Sequence, residues 1–342
     1  MTYGAVFEDR EQGLLFSDIT APLKKKTPFG SVHKKIIVIA GPTAVGKSRL
    51  SLTIAKAIGG EIISADSMQV YRGMDVGTAK VKPEELGVIR HHLVDSREIQ
   101  EEYNVVQFYH EAHQAIKEVF ARGHVPIVVG GTGFYIHALL YGPPNGPPSM
   151  EGIRTSLEQE LEEHGAEMLY ERLRRFDPDY AVTITQRDKH KIIRALEIIA
   201  LTNQKVSSFS KETPHEVEDY DFRCWFVYFP KEILYKRIEE RCDQMIQEGL
   251  IDEVRQLEKE GLRENRSASQ AIGYRQALEF LESAQTEKDW VQFVSAFKQA
   301  SRRYAKRQFT WFRQKTRFRS LNMNEISEEL VVETILQDYE IG

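Results

Sequence analysis

The pattern of apolar and polar residues along the chain predicts strands that are followed by helices in its first part. Short runs centred on β-branched residues lie at 36–40, 61–64, 125–129 and 224–229. Runs of this length, bounded by glycine or polar residues, are typical of strands that are buried on both faces of a sheet. The segments after the first and third runs have the composition of helices. We therefore predict an α/β fold with a parallel sheet and helices on both faces.

The pattern changes at a dense cluster of glycine and proline, residues 142–148, which predicts a hinge. From 149 to about 205 the chain is rich in Glu, Arg and Leu and has no strand pattern, and after the run at 224–229 it has helical composition to about 319. The predicted domains are a flexible N-terminal extension at 1–34, a core with C-terminal helices at 35–146 and 211–342, and an all-helical insertion at 147–210.

A glycine-rich loop follows the first strand and matches the pattern G-x-x-x-x-G-K-[ST]. Strand, loop and helix in this order form a P-loop, whose backbone N–H groups bind a polyphosphate at a helix N-terminus. Lys47 is predicted to reach a terminal phosphate, and the hydroxyl of Ser48 to bind Mg²⁺. The phosphate-binding residues are Gly41, Pro42, Thr43, Ala44, Val45, Gly46, Lys47 and Ser48.

Composition and charge exclude several classes of protein. The chain has 342 residues, two cysteines and a net charge of −5. Two cysteines without zinc spacing give neither a disulfide scaffold nor a zinc site. No apolar run approaches the ~18 residues of a membrane span, so we expect a cytoplasmic protein without membrane contact. We also expect a monomer. Any nucleic-acid site in a net acidic protein must be a local basic patch.

Two further positions follow predicted strands, where ligands bind in parallel sheets. Asp66 could act as a base, hold Mg²⁺ through water, or simply cap a turn. Thr132, within the glycine-rich segment 130–133, could donate to a phosphate oxygen, cap the next helix, or do both. The strand before that segment ends in glycines rather than in the Asp that positions water in P-loop ATPases. We therefore expect no ATP turnover.

Residues 298–319 form a stretch with nine Lys and Arg residues, interleaved aromatic residues and no acid. Arg302 and Lys306 lie one helical turn apart, as do Arg303 and Arg307. Such a surface in a net acidic protein favours binding to a nucleic-acid backbone. The alternative is a solvated amphipathic helix whose aromatic residues belong to the core.

Together these segments resemble the tRNA dimethylallyltransferase family, the tRNA isopentenyltransferases. The resemblance covers most of 36–319 and depends on strings in a fixed order. They are 41–48, 66–80, 91–95, 130–133, 194–197, 271–275 and 304–313.

This resemblance implies a P-loop NTPase-like core and transfer of a dimethylallyl group from its diphosphate to N6 of the adenosine 3′-adjacent to the anticodon of tRNA. The P-loop would then hold the departing diphosphate instead of ATP. Lys47, Arg241 and Mg²⁺ would stabilise it, Asp66 would take the amine proton, and Thr132 would position the substrates. Dimethylallyl diphosphate and the tRNA anticodon stem-loop are the implied partners.

The resemblance also implies residues that contact tRNA. One departure is the segment 187–191, Arg-Asp-Lys-His-Lys, where the family has Asn-Asp-x-x-Arg. Alternative functions are prenylation of free AMP, ADP or ATP, a small-molecule kinase, and an RNA-binding ATPase module. The expected tRNA contacts are Asp66, Ser67, Met68, Gln69, Arg154, His190, Lys191, Arg194, Gln270, Gly273, Tyr274, Arg275, Arg302, Lys306 and Arg307.

Overall fold

A computed structural model describes residues 34–82, 84, 87–209 and 220–341 of the chain. It contains a six-stranded sheet with the strand order β3-β2-β4-β1-β5-β6, and every pairing is parallel. The predicted extension at 1–34 lies almost wholly outside these residues. The strands are β1 Lys34–Ala40, β2 Gly60–Ser64, β3 His91–His92, β4 Val125–Gly130, β5 Tyr220–Tyr228 and β6 Arg319–Asn322.

The central strand β1 explains why the sheet is parallel. Its residues 36–40 have no exposed surface, because β4 and β5 pair on its two edges and helices cover both faces. Parallel neighbours need crossover connections, which helices supply. These helices are α1 Lys47–Ile58, α2 Val105–Ala121 and α3 Gly133–Tyr141 in the first part, then α7 Lys231–Gln247, α8 Leu250–Lys259, α9 Tyr274–Glu282, α10 Glu287–Arg313 and α11 Glu328–Ile341.

The predicted α/β fold with a parallel sheet is thus confirmed, and the differences lie at the sheet edges. β3 has only two residues, both histidines, and β6 is a polar strand, so neither has the apolar run that marks a buried strand. The prediction of helical structure up to about 319 also left out α11, which packs against α1 and β5.

Between α3 and β5, the described residues from 151 to 208 are mainly helical, as their composition indicates. It contains α4 Glu151–Phe176, α5 Pro178–Ala181 and α6 Lys189–Thr202, and α4 is kinked at Gly165, where φ is 82°. Its buried leucines and isoleucines form a cluster separate from the two clusters that flank the sheet. Residues 142–150 form neither helix nor strand. The bounds of the insertion and its movement as a unit stay predictions.

Across the described ranges, none of the helices is both long enough and apolar enough to pass through a membrane.

Candidate active site

The P-loop lies at the carboxyl edge of the sheet, the edge where the loops after β1, β2 and β4 meet. Gly46 adopts a left-handed conformation, with φ of 100°, directly before α1. Lys47 Nζ donates to the carbonyl oxygens of Gly41 at 2.9 Å and Pro42 at 2.8 Å. Both acceptors are neutral, and none of the carboxylates in the described ranges pairs with this ammonium.

Burial and, after it, the nearby guanidinium of Arg241 lower the pKa of Lys47 to about 7, against an opposite effect of Asp66. A lysine in this state gains strongly from an anion, because the anion stabilises the charged form that burial disfavours. The electrostatics of the loop therefore favour binding of a polyphosphate.

A cavity of about 1150 Å³ opens at this edge, between the three loops and the helices α7 and α10. It brings together residues that lie more than 200 positions apart in the sequence. The predicted site residues that line it are Thr43, Ala44, Gly46, Lys47, Ser48, Asp66, Ser67, Met68, Gln69, Arg241, Gln270, Tyr274 and Arg307.

The loops after β2 and β4 fix the position of Asp66. Its Oδ1 accepts the N–H of Met68 at 2.9 Å, which is an Asx turn. The Oδ2 atom accepts no hydrogen bond from any described residue. Thr132 precedes α3 but makes no capping bond with its side chain, and its Oγ1 instead accepts the N–H of Ser67 at 3.2 Å. Thr132 therefore ties the loop after β4 to the loop that carries Asp66.

These two loops approach so closely that only glycine fits at Gly130. A Cβ atom there would lie 2.1 Å from the carbonyl oxygen of Ala65. The glycines of segment 130–133 thus have a steric function beside any contact with a ligand.

Helix α7 supplies guanidinium groups to the cavity from two successive turns. Arg241 Nη2 lies 3.5 Å from the carbonyl oxygen of Thr78, and its buried Nε has no hydrogen-bond partner among the described residues. Arg237 Nε donates to the carbonyl oxygen of Ala44 at 2.9 Å. A buried donor without an acceptor is costly, so an anion in the cavity would satisfy Arg241. Arg241 was among the site residues predicted from the sequence, whereas Arg237 was not.

Gln308 on α10 is a second residue that the sequence argument missed. Its Oε1 accepts the N–H of Thr43 in the P-loop at 2.9 Å, and its Nε2 donates to the carbonyl oxygen of Gly131 at 3.0 Å. The side chain is buried and joins the loops after β1 and β4. The available signal was a glutamine in the buried stripe of α10, where its neighbours one turn away are Tyr304 and Phe312.

Tyr274 is fully buried and supports another cavity wall. Its hydroxyl donates to Glu253 Oε1 at 2.6 Å, and the same carboxylate accepts backbone N–H groups from Val76 at 2.6 Å and Gly77 at 3.1 Å. This carboxylate fixes the loop that presents Thr78 to Arg241. The contact of Tyr274 with tRNA stays a prediction.

Other predicted tRNA contacts near this wall lie around the start of α9. Gly273 has φ of 92° at the first residue before the helix, a conformation that favours glycine. Gln270 is exposed at the cavity. Arg275 is exposed on α9, and its Nε lies 3.7 Å from Glu279 Oε1.

Helix α10 carries both paired and unpaired cations. Arg302 forms an ion pair with Glu239 on α7. Arg303, Lys306 and Arg307 are exposed, and none of the carboxylates in the described ranges pairs with them. The guanidinium of Arg307 lies over the ring of Tyr304, 5.6 Å from its centroid. The unpaired cations form a positive surface directly beside the cavity.

The insertion holds its predicted tRNA contacts differently. The carboxylate of Glu197 is buried, and its Oε2 lies 2.7 Å from Arg194 Nη1 and 3.9 Å from Arg154 Nη1. His190 and Lys191 are exposed in the first turn of α6. Of these four predicted contacts, therefore, the two arginines are paired with a buried carboxylate, and the two residues of α6 are exposed, with Lys191 Nζ 3.7 Å from Asp188 Oδ1.

Comparison with known proteins assigns the family. The model of the family described as IPP transferase matches residues 69–315. The tRNA dimethylallyltransferase of Protochlamydia amoebophila (strain UWE25) is 57% identical over 321 residues, which are 93% of each chain. That of Chlamydia pneumoniae is 47% identical over 307 residues, 90% of each chain. This chain belongs to the IPP transferase family.

Solved structures of the IPP transferase family have the same fold. The full-length tRNA isopentenylpyrophosphate transferase of Bacillus halodurans has a TM-score of 0.66 at 37% identity, over 90% of this chain and 96% of that chain. A eukaryotic dimethylallyltransferase acting on tRNA has a TM-score of 0.68 at 30% identity, over 84% and 74% of the two chains. The expected P-loop-like core and family membership are thus confirmed.

The donor groups in the cavity fit a Mg²⁺ ion that is held largely by a phosphate ligand. In the part of the chain that the structure describes, no cluster of three or more His, Cys, Asp or Glu could hold a metal alone. The Ser48 hydroxyl and the Asp66 carboxylate both line the cavity. Mg²⁺ commonly binds one or two such protein oxygens, several waters and substrate phosphates.

Proposed function

We propose that this protein transfers a dimethylallyl group from dimethylallyl diphosphate to N6 of the adenosine 3′-adjacent to the anticodon of tRNA and releases diphosphate. The observation that carries the proposal is a single cavity in which the buried cations Lys47 and Arg241, the latter with an unsatisfied Nε, lie with the carboxylate of Asp66, beside a helix with unpaired cations. The names of the relatives support the same substrates.

The buried cations stabilise the departing diphosphate. An allylic C1–O bond breaks when the charge that develops on the diphosphate is neutralised in a site prepared for it. The P-loop N–H groups, Lys47 and Arg241 provide that environment, and Mg²⁺ at Ser48 would neutralise further charge on the phosphate oxygens. Arg237, one turn before Arg241, extends the same cationic wall.

Asp66 removes the proton of the attacking amine. Its Oδ1 is held by Met68 N–H, which leaves Oδ2 to accept a proton from N6 as the new C–N bond forms. Thr132 keeps the loop of Asp66 in place through Ser67 N–H.

The unpaired cations of α10 bind tRNA phosphates, and the insertion 147–210 closes on the anticodon stem. The target adenine leaves its stack to enter the cavity, which costs a few kcal/mol. Met68, Gln69 and Gln270 line the cavity where that base would lie. One chain carries every residue of this site, so we propose a monomer, located in the cytoplasm with its tRNA.

The test is to incubate the protein with labelled dimethylallyl diphosphate and either unmodified tRNA or AMP. We expect label in tRNA, at the adenosine beside the anticodon, and none in AMP. Label in AMP would identify a nucleotide prenyltransferase. Phosphate release from ATP that is lost in Lys47→Ala would instead support a kinase or ATPase.

A further inference from the structure

An aromatic stripe continues the cavity wall outward along α3 and α10. Five large aromatic side chains are exposed in the described ranges, and three of them lie here: Phe134 at 48%, Tyr141 at 46% and Trp311 at 37%. Trp311 lies one helical turn beyond the cavity residue Arg307. The stripe is therefore an extension of the proposed reaction site.

Ring contacts join the two helices of this stripe. His137 lies between the exposed rings, with its centroid 4.8 Å from that of Tyr141 and 6.3 Å from that of Trp311. Trp311 also packs on Gly133, where a Cβ atom would come within 2.4 Å of the indole. Gly133 directly follows Thr132, so the stripe begins beside the loop that fixes Asp66.

Cations are placed over these rings. Lys315 Nζ lies 5.2 Å from the Trp311 centroid, and the Arg317 guanidinium lies 5.9 Å from the Tyr141 centroid. Neither cation forms an ion pair with a carboxylate in the described ranges. Burial and the charge of Lys315 lower the pKa of His137, which favours its neutral ring. The stripe thus combines aromatic faces with available positive charge.

We propose that this aromatic stripe, residues 134, 137, 141 and 311, stacks the unpaired bases of the tRNA anticodon loop that neighbour the target adenosine. The inference rests on the function proposed above. Aromatic faces flanked by cations bind single-stranded RNA, because every unstacked base has a π-face and a phosphate. Paired bases within a stem are already stacked, so the stem contacts the cations of α10 and not the stripe.

The test compares RNA binding by variants of two tryptophans on one helix. Trp311→Leu removes the stripe, and Trp290→Leu makes the same change at the other end of α10, where the indole is 39% exposed. The probes are an anticodon stem-loop RNA and a fully paired RNA of equal length. We expect Trp311→Leu to weaken stem-loop binding about 5- to 100-fold, with an unchanged salt slope and little change for the duplex. Trp290→Leu should bind both RNAs like the wild type.

Phe134→Ser, at a more exposed position, gives a second measurement if the packing of Trp311 on Gly133 makes Trp311→Leu unstable. Trp311→Phe should restore most of the stem-loop affinity. Equal losses for stem-loop and duplex, equal effects of the two tryptophan variants, or wild-type affinity of folded Trp311→Leu and Phe134→Ser would each overturn the stacking proposal. Binding is measured without the prenyl donor, so a wild-type protein that binds the stem-loop but transfers no label to tRNA would reject the proposed reaction instead.

Discussion

The basic helix α10 and the helical insertion both carry the cations that we assign to tRNA, and they hold them differently. On α10, Arg303, Lys306 and Arg307 face solvent beside the cavity without acidic partners in the described ranges. In the insertion, Arg154 and Arg194 share the buried carboxylate of Glu197. Among the residues that we assign to tRNA, three cations of α10 are thus unpaired, whereas the two arginines of the insertion already have a carboxylate partner.

This difference separates two contributions to the proposed reaction. Unpaired exposed cations bind phosphate and release counterions, whereas paired ones must first lose an existing partner. We therefore assign phosphate affinity mainly to α10. The insertion has its own core and a coil connection at 142–150. We assign to it the recognition of the shape of the tRNA. The predictions below test this assignment and the chemistry that α10 serves.

The largest effect should come from replacing Asp66, the proposed general base. Asp66→Asn keeps size and hydrogen bonding but cannot take the amine proton, so the single-turnover rate of prenyl transfer should fall by roughly 10²–10⁴. Binding of tRNA should change little, because the carboxylate acts in the transition state. If high Mg²⁺ restored the rate of the variant, Asp66 would act by supporting the metal ion and not as the base.

The next effect should come from α10. Replacing Arg303, Lys306 and Arg307 by Ala removes three unpaired cations, so tRNA affinity at physiological salt should fall about 10- to 100-fold. The slope of log K against log salt should flatten by roughly 2–3. Arg302→Ala is the matched control, because its guanidinium is already paired with Glu239. A control loss as large as that of the triple variant would contradict the assignment.

The pH dependence of diphosphate binding should reveal the state of Lys47. Its pKa is about 7 in the free protein, and a bound anion favours the charged form, so binding above this pH must take up a proton. Affinity should therefore fall by up to about tenfold per pH unit above 7. Calorimetry in buffers of different ionisation enthalpy measures the uptake. In Lys47→Arg the uptake should disappear, since Arg stays charged throughout.

The smallest effect should come from the exposed basic residues of the insertion. His190→Ala with Lys191→Ala removes the lysine charge, which corresponds to about one phosphate contact, so tRNA affinity should fall by about two- to fivefold. The salt titration used for α10 measures it on the same scale. A loss greater than that of the α10 triple variant would reverse the comparison between the two regions.

The sequence predicted those features that local spacing determines. The P-loop at 41–48 has a fixed pattern within eight residues, and the parallel sheet follows from apolar runs. Gln308 could not be assigned this way, because its partner Thr43 is 265 residues away and a glutamine has no spacing rule. Glu253 could not be predicted for the same reason, since its partners are backbone N–H groups of a distant loop.

The bond between Gln308 and the P-loop also has a consequence for the order of protein synthesis. Thr43 leaves the ribosome 265 residues before its partner does. At about 5–20 residues per second the loop waits roughly 15–50 s for the side chain that ties it to the loop after β4. An incomplete chain that ends before α10 has a P-loop without this tie and no basic helix to hold RNA. We therefore expect a chain that ends before residue 308 to carry out no prenyl transfer.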